Sequence, residues 1–197
     1  PEIADNVAPS DLDQLARKEL RTLSKENSDE VARHLVMAAR LIESDAELAH
    51  RHAASAARRA GRIAVVRESI AITAYATGNF SLALRELRTF RRLSGSDNQI
   101  ALIVDSERGV GRPDRALEVA RSVDRNDLPV DVRVALAIAM SGARLDLNQG
   151  TEALDELRIP ELDPDIAYSW SSDLFHAFAN VLEELGEPRR ALEWRNR

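Results

Sequence analysis

The chain has 197 residues, 44% of them hydrophobic and 4% aromatic, and a formal net charge of −6 at neutral pH. That length suits one or two globular domains or one short solenoid, and the net acidity argues against a global nucleic-acid footprint. The absence of cysteine excludes disulfides, thiolate catalysis and Cys-based metal sites, and no apolar run approaches the roughly 18 residues of a membrane span. With no signal segment at its start, the chain is expected to be cytoplasmic and off the membrane. It starts at Pro1 without Met, which leaves room for a native leader upstream.

In chain order, Pro9-Ser10-Asp11 predicts a helix start with Ser10 as N-cap, and a helix over about 10–24 that stands outside the pattern of the rest. Asn27 with Glu30 three residues on predicts a second start of capping-box type. From there Val31, Leu35, Ala38, Leu41 and Ile42 keep a helical period. A turn near Ser44-Asp45 starts the partner helix, which ends near Gly61. Ile63, Val66, Ile70 and Ala74 form one face of the next helix, Thr77-Gly78-Asn79 turns, and Leu84, Leu87 and Phe90 continue on its partner. Ser94-Gly95-Ser96-Asp97 closes that pair, with Asp97 placed to cap the following one. Pro113 falls in the first turn of a helix, where a missing N–H costs least. The stretches 124–129 and 158–164 carry prolines and read as linkers. Strict alternation is absent throughout, so no sheet is expected.

One motif, Gly-x-apolar-x-x-Ala-Leu, recurs along these hairpins. Its copies start at Gly78, Gly111 and Gly186, with looser ones at Asn148 and Ser44. The alanines stand at Ala49, Ala83, Ala116, Ala153 and Ala191, so the steps are 34, 33, 37 and 38 residues. Spacing near 34 marks a helix-turn-helix repeat array, and the two linkers account for the longer steps.

These residues resemble the tetratricopeptide repeat family, with Gly78 in its turn slot, Phe80 in its aromatic slot and Ala83 as its close-contact alanine. The slot that the family fills with a large residue holds Arg33, Arg67, Ile100, Ala137 and Phe175 here, and the family's terminal proline is absent. The wider pattern, including 23–27, 60–68 and 91–95, is similar to tetratricopeptide-like proteins of unknown function from high-GC actinobacteria. The resemblance implies an all-α, right-handed superhelical solenoid in a single domain, 1–197. It would hold an N-terminal helix at 10–24 and hairpins over about 28–61, 62–95, 97–125, 130–158 and 166–197. It brings no established activity.

Nothing in the sequence points to catalysis, a cofactor or a metal. His50-Arg51-His52 lacks zinc spacing and places a cation between its rings. Ser169, Ser171, Asp173 and His176 come without a nucleophile elbow, and Ser171-Ser172-Asp173 reads as helix-start chemistry. Glu183 and Glu184, being adjacent on a helix, do not face one another. There is no phosphate-binding glycine loop. The expectation is a non-enzymatic protein.

Two surfaces remain. In tetratricopeptide arrays the first helix of each pair lines a concave groove, which here implies Leu41, Ile72, Tyr75, Asp105, Arg108 and Ile138 as partner-binding residues. Such a groove would be apolar at one end and acidic at the other, suited to a peptide or helix with a basic end, unless long N-terminal side chains fill it. The second surface follows from the arginines, since only Lys18 and Lys25 among 27 basic residues are lysines. Arg51 and Arg85 share one repeat position, Arg88, Arg121 and Arg158 another, and Arg58, Arg92 and Arg125 a third. Arg51, Arg58, Arg85, Arg88, Arg92 and Arg121 are therefore expected to form a basic convex face. It is either a solvated outer surface or a site for nucleic acid or phosphate. The first expectation is an adaptor that binds a protein segment in the groove, and the rival is phosphate binding by the arginines. The last helix stops about one turn after Trp194. Its apolar face is expected to be covered by a further C-terminal helix or by self-association.

Overall fold

The computed structural model describes all 197 residues, and they form helices and connecting turns with no strand. The helices are α1 (Gln14–Glu19), α2 (Lys25–Leu41), α3 (Ala46–Ala60), α4 (Ala64–Ala76), α5 (Phe80–Ser94), α6 (Ile100–Gly109), α7 (Pro113–Arg121), α8 (Val130–Asp146), α9 (Gly150–Leu157), α10 (Ser171–Glu184) and α11 (Pro188–Arg195). The chain packs as two compact units, Pro1–Ser96 and Asp97–Arg197. From α2 onward the helices pair as successive hairpins: α2 with α3, α4 with α5, α6 with α7, α8 with α9, α10 with α11.

The recurring motif builds these hairpins in two ways. In four of its five copies, all but the one at Ser44, the first residue reverses the chain in a left-handed conformation. Gly78, Gly111 and Gly186 have φ of 76°, 79° and 77°, and Asn148 takes the same left-handed role with φ 57°. In each turn this residue donates to the carbonyl three residues back, and its successor donates to the carbonyl five back, as in Asn79 N to Ala74 O at 2.9 Å and Gln149 N to Arg144 O at 2.9 Å. This is the Schellman arrangement, which satisfies carbonyls that the helix end leaves open. The motif's alanine then permits close packing. Ala49, Ala83, Ala116, Ala153 and Ala191 are all 0% exposed, so a side chain longer than a methyl has no room at any copy.

In the first unit, the predicted N-terminal helix over 10–24 is instead three short pieces. A 3-10 turn at Pro9–Asp11 and another at Leu20–Thr22 flank α1. Leu12 is extended, at ψ 141°, and Asp13 restarts the helix by accepting from Leu15 N and Ala16 N. Those two bonds hold the Asp13 carboxyl below its ordinary pKa. Leu20 is fully buried with Val31, Leu35, Ala56 and Val66. The cap of α2 is Ser24, whose Oγ accepts from Asn27 N, rather than Asn27 itself. The helix gains most of a turn because Leu20 and Leu23 pack into the same cluster and draw the chain inward before Ser24. Asp45 and Asn79 cap α3 and α5 through their side chains. The start of α4 has no cap of its own; Glu19 Oε2 of α1 accepts from Val65 N at 3.0 Å instead.

In the second unit, Gln99 rather than Asp97 is the N-cap of α6. Pro113 opens α7, as its position predicts. The core gathers Leu154 and Leu157 of α9 with Leu174, Phe178 and Leu182 of α10, and Ala191 of α11 supports it. Each fully buried leucine there contributes roughly 1.5–3 kcal/mol relative to exposure. The linker before α10 joins this core through Ile159 and Leu162, and Arg133 of α8 holds it by donating twice to Glu161 Oε1 at 3.1 and 2.6 Å.

Candidate functional site

The first unit contains an apolar groove between α2 and α4. Leu35, Ala38 and Ile42 form one wall, Val65, Ser69 and Ile72 the other, and Leu12 of the N-terminal segment closes one side. Its volume is about 300 Å³, and nearly all the surface it presents is hydrocarbon. That is the lower end of the roughly 300–1,000 Å³ range of ligand pockets, enough for a few side chains rather than a large cofactor. The N-terminal segment therefore does two things. It covers part of α2, with Val7 packing on Val36 and Met37, and it leaves the neighbouring face open.

The expected groove residues separate on this structure. Ile72 lines the groove. Leu41, the neighbour of groove-lining Ile42, packs instead with Ile3 and Leu12 against the Val7 cluster. Tyr75 stands edge-on to Phe80 with ring centroids 5.5 Å apart. The remaining three belong to the second unit. Ile138 packs against that unit's core. Arg108 donates from Nη1 to Asp105 Oδ1 and from Nε to Asp146 Oδ2, each at 2.7 Å, tying α6 to α8. Burial works against its charge, but the bonds to Asp146 and Asp105 outweigh that and raise its pKa further. Gly142 makes the arrangement possible, because a Cβ there would stand 2.3 Å from Arg108 Nη1. Asp105 and Arg108 thus serve an internal clamp.

Sequence reasoning missed Leu12, Leu35 and Ser69 as groove residues. Leu12 had no detectable signal, since the tertiary path of the N-terminal segment puts it there.

The six arginines of the predicted basic face are all exposed. Five belong to the first unit: Arg51 and Arg58 on α3, Arg85, Arg88 and Arg92 on α5. Both helices pack on α4. Arg58 donates to Ser55 Oγ at 2.8 Å, and Arg85 pairs with the buried Glu86 at 2.9 Å. Arg121 lies on α7 in the second unit. Half-buried Arg125 reaches Glu156 Oε2 at 3.2 Å, and Arg158 pairs with Asp155 at 2.7 Å. In the first unit Arg67 occupies the slot expected to hold a large residue. It bridges Gly61 O and Glu86 Oε2, whose side chain is 3% exposed. An arginine there replaces apolar filling with a paired buried carboxylate.

His50 and His52 meet different neighbours. His50 Nδ1 meets Thr73 Oγ1 at 2.9 Å, while His52 faces the other way into the α2–α3 contact. There its Nδ1 lies 2.9 Å from His34 Nδ1, with both residues buried. Glu30 Oε1, 3.5 Å from His34 Nε2 and 3.5 Å from an Arg59 nitrogen, favours a proton on that Nε2. His34 Nδ1 then accepts, and His52 donates through Nδ1. Burial first, then the neighbouring ring, pushes the His34 pKa down to about 4; burial also lowers that of His52. The pair is a neutral internal contact between two helices.

In the Ser/Asp/His group near α10, the His176 ring and the Ser171 hydroxyl both bond to backbone groups. His176 Nδ1 donates to Ser172 O at 2.7 Å, its own helix backbone. Ser171 Oγ accepts from Tyr168 N at 2.9 Å and donates to Ile166 O, so it shapes the loop before α10 rather than capping the helix.

No helix is long and apolar enough to cross a membrane. No protein-family model matches the chain, and no curated protein matches it significantly.

Proposed function

We propose that this protein is a non-enzymatic adaptor of tetratricopeptide-like build. The groove between α2 and α4 takes apolar side chains of a partner's peptide or helix. The observation that carries this reading is the open hydrocarbon groove of about 300 Å³ on paired helices. A concave apolar face on a helical scaffold suits helix-in-groove recognition, in which a few spaced apolar anchors supply the affinity. The repeated Schellman turns and fully buried alanines support a tetratricopeptide-like build of the hairpins within each unit. The arginine-based alternative draws less support, because Arg58, Arg85 and Arg125 have partners in the protein.

The test is a peptide-display selection on the full chain, with Ile72→Asp as the counter-target. Binders that use the groove should lose roughly tenfold or more in affinity on Ile72→Asp, about 1.4 kcal/mol. They should hold their affinity as salt rises from low to physiological levels. Binders indifferent to Ile72→Asp, or affinities that collapse with salt, would move the site to the arginines. A circular-dichroism melt of the variant checks that it folds, since Ile72 is half-buried.

A further inference from the structure

A second cleft, independent of the groove, lies within the second unit between the loop over 164–168, α10 and the end of α11. Its volume is about 410 Å³, with Phe175 and Ser171 of α10 among its lining, Tyr168 and Asp165 from the loop, and Trp194 from α11. In a chain with 4% aromatic residues this is a concentration of rings. The rings are held in place. Trp194 meets Phe175 and Phe178 edge-on, with centroids 5.3 and 4.9 Å away. Tyr168 stacks on Trp170 at 4.8 Å and 11°, and its backbone N–H is anchored by Ser171 Oγ. Tyr168 nonetheless remains 42% exposed. Rings fixed in this way lose little freedom when a ligand arrives.

The cleft already shows what its aromatic face accepts. The guanidinium carbon of Arg197 sits 4.8 Å from the centroid of the Trp194 ring. A cation within about 6 Å of an indole face is attracted by the ring quadrupole, and the flat, weakly hydrated guanidinium stacks there better than an ammonium. The other local cation does not oppose a second one, because Arg195 is neutralised by Glu183 at 2.6 Å and bonded to Asn180 at 2.9 Å. Asp165 contributes a carboxylate to the lining. We propose that this cleft is a binding site for an arginine side chain of a partner protein. The partner's guanidinium stacks on Trp194 in the place the chain's own Arg197 now holds, with Tyr168 as the facing wall.

The experiment follows the indole N–H resonances of the ¹⁵N-labelled full chain by NMR, assigned with Trp194→Phe. The ligands are acetylated, amidated Gly-Arg-Gly, the same peptide with lysine, and the same peptide with neutral citrulline. The arginine peptide should shift the Trp194 resonance saturably, the lysine peptide should bind several-fold more weakly, and the citrulline peptide should leave it unmoved. Arg197→Ala should tighten arginine-peptide binding roughly three- to tenfold, because the internal competitor is gone. Tyr168→Ala, which removes a partly exposed ring of the loop and leaves the residues of α11 unchanged, should weaken it. Equal shifts from the arginine and citrulline peptides, or an affinity unchanged by Arg197→Ala, would overturn the proposal. Neither result bears on the α2–α4 groove.

Discussion

Lowering the pH should weaken the α2–α3 contact through the His34–His52 pair. Both imidazoles are neutral in the fold because burial lowers their pKa values, His34 from 6.5 to about 4. The unfolded chain therefore binds more protons than the folded one between those values. Stability rises with pH in that window and is lost as pH falls from about 6.5 towards 4. For His34 alone the full interval corresponds to about 3 kcal/mol, and at pH 4.5 about 2.5 kcal/mol of it would be gone. Carboxylates elsewhere also titrate, so the measurement needs a reference that lacks only this pair. His34→Leu with His52→Leu removes both partners and fills similar volume. Replacing both members of a hydrogen bond by apolar groups costs little, and neither ring nitrogen is left buried alone. Urea unfolding of both proteins, followed by circular dichroism at pH 7.5 and 4.5, gives the comparison. The wild type should lose about 2–3 kcal/mol more than the double variant on acidification. Equal losses would refute the assignment of a neutral, proton-excluding pair.

The motif supplies further tests. Ala153→Leu places a larger side chain at a position that is 0% exposed, and thermal melting should show a loss of roughly 1–3 kcal/mol. Gly78→Ala should cost about 1–2 kcal/mol for backbone reasons alone, since φ is 76° and no atom stands within 4 Å of the added Cβ. Asn148→Gly at φ 57° should raise stability by roughly half a kcal/mol; a loss would mean that the Asn148 side chain makes a contact of its own. Gly142→Ala should be close to neutral in wild type. About 1 kcal/mol of helix propensity is gained while displaced Arg108 loses its partly exposed bridges to Asp105 and Asp146, worth a similar amount. In an Arg108→Ala background the same change should stabilise by about 1 kcal/mol, and an absence of coupling between the two sites would contradict the clamp.

The hairpins are legible in the sequence because their signals are local. A residue able to adopt positive φ, an apolar residue two places on and an alanine five places on all act within one turn and its flanking helices. Asn148 was readable as a glycine substitute for the same reason. Capping was legible in kind and misplaced by a turn at α2, because Ser24 and Asn27 are both good caps and the choice between them fell to the burial of Leu20 and Leu23. The N-terminal segment misled more. Its composition is helical, but Asp13 interrupts the run by capping α1.

Sequence by itself determined the all-helical class, the hairpin register and the alanines at the crossings, since each depends on residues near in the chain. Only the tertiary structure decided how side chains remote from one another are used. Glu19 caps α4 across 46 residues, His34 finds His52, and Arg108 lies over Gly142 to reach Asp146. It also decided that Leu12 walls an open groove while Leu41 packs on the Val7 cluster. A pattern of periods assigns a residue to a face of its own helix. What that face meets is set by how whole helices pack, and a single sequence records that packing only where it demands a small residue.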